Sequence, residues 1–184
     1  MTQIPTLETQ RLTLRPPQMS DFDAYADFRA SPRSVGVGGP YTSGQSFGQL
    51  GELIGHWSLR GFGRWMVADR STDAPLGVVG LMYPTDWPEP EIAWSVFAAA
   101  EGKGIAQEAA QATRSYAYDV LGWTTVISCI VPDNTRSITL AQRMGAIQEP
   151  GFRHPEHGEM QVWRHLSPDQ IATQIPGGGI KAYS

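Results

Sequence analysis

The chain has 184 residues, of which 41% are hydrophobic and 17% charged, with a formal net charge of −4 and a single cysteine. This is enough apolar material for one globular domain with its own core, and it argues against a disordered segment. No stretch approaches the roughly 20 apolar residues of a membrane span, the acidic balance speaks against nucleic-acid binding, and one cysteine excludes an intramolecular disulfide.

Residues 1–5, Met-Thr-Gln-Ile-Pro, carry neither the basic nor the apolar part of a secretory leader, so a cytoplasmic protein is expected. Arg11 to Arg15 alternates polar and apolar as a half-buried strand does, and Pro16-Pro17 stops it. Ser20 then reads as the cap of a helix with acids in its first turn and a loose inner face of Phe22, Tyr25 and Phe28. Residues 36–48 are rich in Gly, Ser, Thr and Pro and predict a loop, followed by a second helix over about 46–59 despite Gly48, Gly51 and Gly55.

Three strands are predicted next, at 64–68, 76–82 and 91–97, with turn chemistry at Asp73-Ala74-Pro75 and three prolines between 84 and 90. A helix from Ile105 to about Val120 shows an apolar stripe of Ile105, Ala109, Ala112, Tyr116 and Val120. Residues 124–131 read as a buried strand, and Pro132-Asp133-Asn134 ends it and caps a short helix through Met144, with Gly145 at the left-handed C′ position. Residues 160–164 form a last strand. The order gives an α+β (mixed α/β) domain over 7–168 around one buried sheet, and residues 169–184 read as a C-terminal tail.

The chemistry concentrates where the strand at 91–97 runs into Gly102-Lys103-Gly104 and a helix starts at once. Unpaired amides and the positive end of the helix dipole face outward there. The glycines keep side chains away, and Lys103 adds a cation, so the turn is a candidate pyrophosphate cradle. The plain alternative is a glycine-rich turn. A P-loop would need Gly-x-x-x-x-Gly-Lys-Ser/Thr, and a dinucleotide fingerprint a third glycine; neither is present. His56, His154, His157 and His165 form no ligand motif, and no metal is expected. Cys129 reads as a small core residue.

The run Glu-Gly-Lys-Gly-Ile-Ala-Gln-Glu-Ala at 101–109 resembles the coenzyme A loop of the GNAT superfamily of N-acetyltransferases. The resemblance extends over about 7–166 and is nearest the branch that acetylates ribosomal-protein N-termini. It is carried also by Leu7 to Arg15, by Pro88 to Trp94, and by Asp133 to Ser137 followed by Arg143-Met144-Gly145-Ala146. It implies the GNAT fold, a central mostly antiparallel twisted sheet flanked by helices. It also implies transfer of an acetyl group from acetyl-CoA to an amine, either a small molecule or a peptide N-terminus, by direct attack in a ternary complex. A homodimer is compatible with it; a membrane or nucleic-acid partner is not implied.

The same resemblance implies roles for individual residues. Glu91 is the candidate base, with Glu89 and Asp86 as rivals and a strand-end surface carboxylate as the plain reading. Ser137 is the candidate donor to the departing sulfur. The turn Gly102, Lys103 and Gly104, with Ile105 and Ala106 behind it, would take the phosphates. Val96 and Phe97 would offer backbone to the pantetheine arm, Asn134 would cap its helix and touch that arm, and Arg143 would reach the adenosine 3′-phosphate. Two departures stand out. Ala99 replaces the Gln or Arg that the family commonly has three residues before the first glycine, which predicts weaker cofactor binding. Ala141 replaces the tyrosine acid of many relatives. These two motivate an alternative, a GNAT-fold module that binds acyl-CoA without catalysis. The stretch 36–61 and the Pro84–Pro90 loop are expected to set the acceptor, with Trp57, Trp65, Trp87 and Trp94 either lining an aromatic pocket or filling the core.

Overall fold

The computed structural model describes residues 3–174. Its strands are β1 (Leu7–Glu8), β2 (Leu12–Arg15), β3 (Arg64–Asp69), β4 (Pro75–Met82), β5 (Glu91–Val96), β6 (Ile127–Ile130), β7 (Ile147–His154) and β8 (Gly158–Arg164). They form one sheet in the order β1-β2-β3-β4-β5-β6-β8-β7. Every neighbouring pair is antiparallel except β5 and β6. Helices α1 (Phe22–Ala30) and α2 (Ser43–Arg60) precede β3; α3 (Ile105–Ser115) follows β5, α4 (Thr135–Arg143) follows β6, and α5 (Pro168–Gln174) follows β8.

Alternation along the strands sends one set of side chains to each face. Leu12, Leu14, Trp65, Val67, Val79, Leu81 and Ile92 meet Ile105, Ala109 and Ala110 of α3. Met66, Val78 and Phe97 meet Tyr25 and Phe28 of α1 and Leu50 and Leu53 of α2 on the other face. The buried Arg15 fastens α1 to the sheet: its Nη1 and Nη2 donate to Asp21 at 2.8 Å each, and its Nε donates to Asp73 at 2.7 Å. Asp21 also accepts from the Gln18 N–H, so Asp21, and not Ser20, closes the entry to α1.

Several elements differ from the sequence reading for identifiable reasons. Helix α2 begins at Ser43 because Thr42 and Gln45 cap each other: the Gln45 N–H donates to Thr42 Oγ1 and the Thr42 N–H to Gln45 Oε1. Its glycines are tolerated because they lie away from the core; a Cβ at Gly48, Gly51 or Gly55 would meet nothing within 4 Å. After Ser115 the helix widens into a π turn over Tyr116–Val120. That turn shifts the stripe, so Ala117 is buried and Val120 is 60% exposed, contrary to the expected period.

Strand β6 is only four residues long, against the eight expected. Strand β7 was not legible because Pro150-Gly151 interrupts it. It lies at the sheet edge, with a register shift between Glu149 and Phe152, where a strand accepts a proline. His154 therefore ends a strand. Beyond residue 168 the chain continues as α5, with Ile171 packed on the core, and the glycines at 177–179 lie outside the described residues. No helix among the described residues is long and apolar enough to cross a membrane.

Candidate active site

The parallel strands β5 and β6 share a single register pair, Glu91 with Ile127, and diverge beyond it. Side chains replace the missing ladder bonds. The Cys129 N–H donates to Glu91 Oε2 at 2.7 Å, and Ser128 Oγ donates to the Ile92 carbonyl at 2.6 Å. Ser128 Oγ also lies 2.9 Å from His165 Nε2. With the hydroxyl proton given to Ile92, the network assigns the imidazole proton to Nε2. His165 Nδ1 is then a buried acceptor without a partner. Burial lowers the His165 pKa to about 3, so the ring is neutral.

The divergence opens a cleft of about 440 Å³ between the ends of β5 and α4, with the start of α3 on one side and the turn at 32–37 on the other. Val96, Gly102, Gly104, Ile105, Ala106, Asn134, Ser137 and Arg143, all singled out in the sequence, line it together. Phe97 does not: its N–H donates to the Leu76 carbonyl at 2.8 Å and its ring packs on Tyr25 and Phe28. Lys103 points no side chain into the cleft; it is exposed, and its carbonyl accepts from Arg11 Nη1 at 2.9 Å.

Gly102 and Gly104 have φ of 72° and 74°, a left-handed backbone that side chains resist. The first intrahelical bond of α3 runs from the Glu108 N–H to the Gly104 carbonyl, so the N–H groups just before it have no helical partner. Left-handed glycines running into an open helix end make a concave run of N–H groups suited to a diphosphate. Arg11, just before β2, braces this turn, donating also to Glu108 Oε2 at 2.7 Å. Burial alone would raise the Glu108 pKa, but bonds from Thr9 and Arg11 and the Arg11 charge hold it below its ordinary value.

The three carboxylates singled out as bases occupy different surroundings. Glu89 is clasped by Arg164 at 2.7 and 3.0 Å, and those bonds keep it below its ordinary pKa. Asp86, half exposed, accepts from His154 Nε2 at 2.9 Å. Glu91 is 4% exposed, and burial pushes its pKa up to about 7, against the lowering effect of the Cys129 N–H and the Arg64 charge. It faces the α1–α2 side of the sheet, outside the cleft lined by α3 and α4. Burial next to Glu91 also pushes the Cys129 thiol up, which removes it as a nucleophile at neutral pH.

On α4, the Ser137 N–H donates to Asn134 Oδ1 at 3.2 Å, so Asn134 caps the helix as well as lining the cleft. Ser137 Oγ accepts from Trp94 Nε1 at 3.1 Å. Ala141 is fully buried with Ile130, Ala146 and Trp163, so its place belongs to the core. Of the four tryptophans singled out in the sequence, Trp57 and Trp65 are core, Trp94 lines the cleft, and Trp87 packs on His154 at 4.9 Å.

The sequence reading missed three charged residues in the cleft. Glu101 pairs with Arg33 from the 32–37 turn and with Arg136 from α4, spanning the cleft wall. Nothing local marks residues 68 positions apart as partners. Ser128 and His165 were likewise invisible, because their role exists only where two strands part. Among the described residues no cluster of three or more His, Cys, Asp or Glu side chains is placed to hold a metal ion.

Residues 11–147 match the family model described as acetyltransferase (GNAT) domain. The uncharacterized N-acetyltransferase p20 of Bacillus licheniformis is 28% identical over 155 residues, 82% of this chain and 87% of its own. The crystal structure of an acetyltransferase from Agrobacterium tumefaciens str. C58 superposes with a TM-score of 0.81 at 38% identity, covering 89% of this chain and 95% of that one. The ribosomal-protein-S5-alanine acetyltransferase of Vibrio fischeri shares the fold, with a TM-score of 0.67 at 16% identity over 91% of this chain and 99% of that one. With its splayed parallel pair, its left-handed glycine turn at the head of α3 and a family match over most of its length, the chain belongs to the GNAT family of acetyltransferases.

Proposed function

We propose that this acetyltransferase moves the acetyl group of acetyl-CoA directly to a primary amine, with Glu91 receiving the amine proton. The observation that carries this reading is Glu91 itself: a buried carboxyl with its pKa near 7, at the point where β5 and β6 part. A group poised there is half-ionised at neutral pH, which is where a general base works best.

Acetyl-CoA, when bound, supplies the activated thioester. The amides of the Gly102–Ala106 stretch would hold its diphosphate, with Arg33, Arg136 and Arg143 as the cations of the same cleft. The second half of β5, around Val96, has no ladder partner on the β6 side, so its backbone is free to pair with the pantetheine arm as with an added strand. The amine nitrogen bonds to the thioester carbonyl carbon, the C–S bond breaks, and the ammonium proton passes to Glu91 directly or through one water. Ser137 accepts from Trp94, which leaves its own hydroxyl proton to donate to the departing sulfur.

The test is thiol release from acetyl-CoA with a broad amine panel, for the wild type and Glu91→Gln. Turnover at neutral pH should fall by roughly 100-fold, and the deficit should shrink as pH rises and more amine arrives deprotonated. Coenzyme A affinity should not change. Near wild-type turnover by Glu91→Gln, under conditions where chemistry limits the rate, removes Glu91 from the mechanism.

A further inference from the structure

The face of the sheet that carries Glu91 also holds two guanidinium groups for which the acetyl transfer described above has no use. Cross-strand register places Arg64, Gly80 and Ala93 in one row under α1 and α2, with Glu91 two residues from Ala93 along β5. Gly80 contributes no side chain to that row. Ala93 and Ser95 are only partly buried although β5 is an interior strand. The floor beside Glu91 is therefore low, and Ser95 continues it into the cofactor cleft.

Arg29 of α1 is 7% exposed and stacks 4.4 Å over the Tyr41 ring, and its Nε is buried without a hydrogen-bond partner. Arg64 lies within electrostatic reach of Arg29, Tyr25, Glu52 and Glu91, and burial pulls its pKa below the usual value. Among the described residues neither arginine forms an ion pair. Glu52 is exposed on α2, and Glu91, half-ionised at neutral pH, bonds to the Cys129 N–H and to neither guanidinium. A guanidinium cannot shed its charge, and a buried cation without an anion is costly. Arg29 is such a cation, and Arg64, partly exposed beside it, adds a second positive charge, so a bound ligand can supply the anion.

We propose that the acceptor of this enzyme is an amine that itself carries a carboxylate, an amino acid, whose carboxylate is held by Arg64 and Arg29 while its amine faces Glu91. The proposal rests on Glu91 marking the acceptor side. An ordinary peptide N-terminus presents an amide where an amino acid presents a carboxylate, and would leave both arginines unpaired. A site built around a charged partner discriminates strongly against a ligand that lacks it.

The experiment offers acetyl-CoA with an equimolar mixture of free α- and ω-amino acids, with the matching amino-acid amides, and with short peptides, and reads the acetylated products by mass spectrometry. The wild type should acetylate at least one free acid about tenfold or more faster than its amide, the scale of a charge-assisted bond. In Arg64→Met the ratio of acid to amide rates should collapse to within about threefold, with coenzyme A affinity unchanged. Arg29→Gln should act in the same direction; if it fails to fold, Arg64→Met carries the test, since the Arg64 side chain makes no hydrogen bond or ion pair that the fold would lose. Amides or peptides acetylated as fast as the acids would overturn the proposal, as would an Arg64→Met enzyme that loses acids and amides alike.

The Glu91→Gln enzyme separates the two readings. An acid preference that survives with undiminished turnover in Glu91→Gln refutes the base and keeps the carboxylate site. Loss of turnover in Glu91→Gln without any acid preference in the wild type does the reverse. No product from any arm refutes the carboxylate site, and the broad amine panel then decides the role of Glu91.

Discussion

Replacing Glu91 by glutamine should stabilise the protein while removing the base proposed above. Burial lifts the carboxyl from 4.5 to about 7, so the folded state binds this proton more tightly than the unfolded chain does. The stability gained from that tighter binding is complete below the unfolded pKa and is lost as pH rises through the folded one. Between pH 5 and pH 8 the loss amounts to about 2–3 kcal/mol, at about 1.4 kcal/mol for each tenfold change in proton affinity. Glutamine does not ionise, keeps a carbonyl for the Cys129 N–H, and escapes the loss. Thermal unfolding at pH 5 and pH 8 reads the effect. The gap in Tm between Glu91→Gln and wild type should widen in favour of the variant by roughly 4–12 °C from pH 5 to pH 8, using about 2–4 °C per kcal/mol for a domain of this size. A gap that is the same at both pH values would show that burial does not perturb the carboxyl, and the argument for Glu91 as base would lose its physical support.

Two further predictions concern the cleft beside α3 and α4. A side chain at Gly104 must adopt a φ of 74°, which a β-branched residue resists, so Gly104→Val should distort the turn. Coenzyme A affinity measured by calorimetry should then fall by about tenfold or more, and an unchanged affinity in a folded variant would take the turn out of the site. Glu101 occupies Arg33 and Arg136 with a carboxylate where phosphates would approach. Glu101→Gln should tighten coenzyme A binding by roughly three- to tenfold at about 20 mM salt, with a smaller gain at about 300 mM, because salt screens exposed charges. Weaker binding would mean that Glu101 positions the arginines instead of competing for them.

The local chemistry of the chain was enough to place most of the elements and one part of the site. The turn at 102–104 needs glycine because its backbone is left-handed, and a helix must follow because Ile105 to Ser115 repeats its small apolar residues at helical spacing. Asn134 and Gly145 cap and end α4 by rules that act over a few residues. These features depend on neighbours in sequence, so one sequence displays them. The strand containing Pro150-Gly151 was hidden because only its place at the sheet edge makes that dipeptide acceptable. Likewise the exposure of Val120 follows from a π turn that side-chain periodicity does not announce.

What separates Glu91 from Glu89 and Asp86 is tertiary throughout. All three lie within six residues, and their carboxyls are chemically alike. Arg164, from the far end of the chain, claims Glu89; His154, from the edge hairpin, claims Asp86; and the parting of β5 from β6 buries Glu91 against a backbone N–H with no cation bonded to it. The reactivity of a carboxyl is set by solvent exclusion and by the charges within a few ångströms of it. Both come from segments tens of residues away in the chain, so only the folded structure decides them.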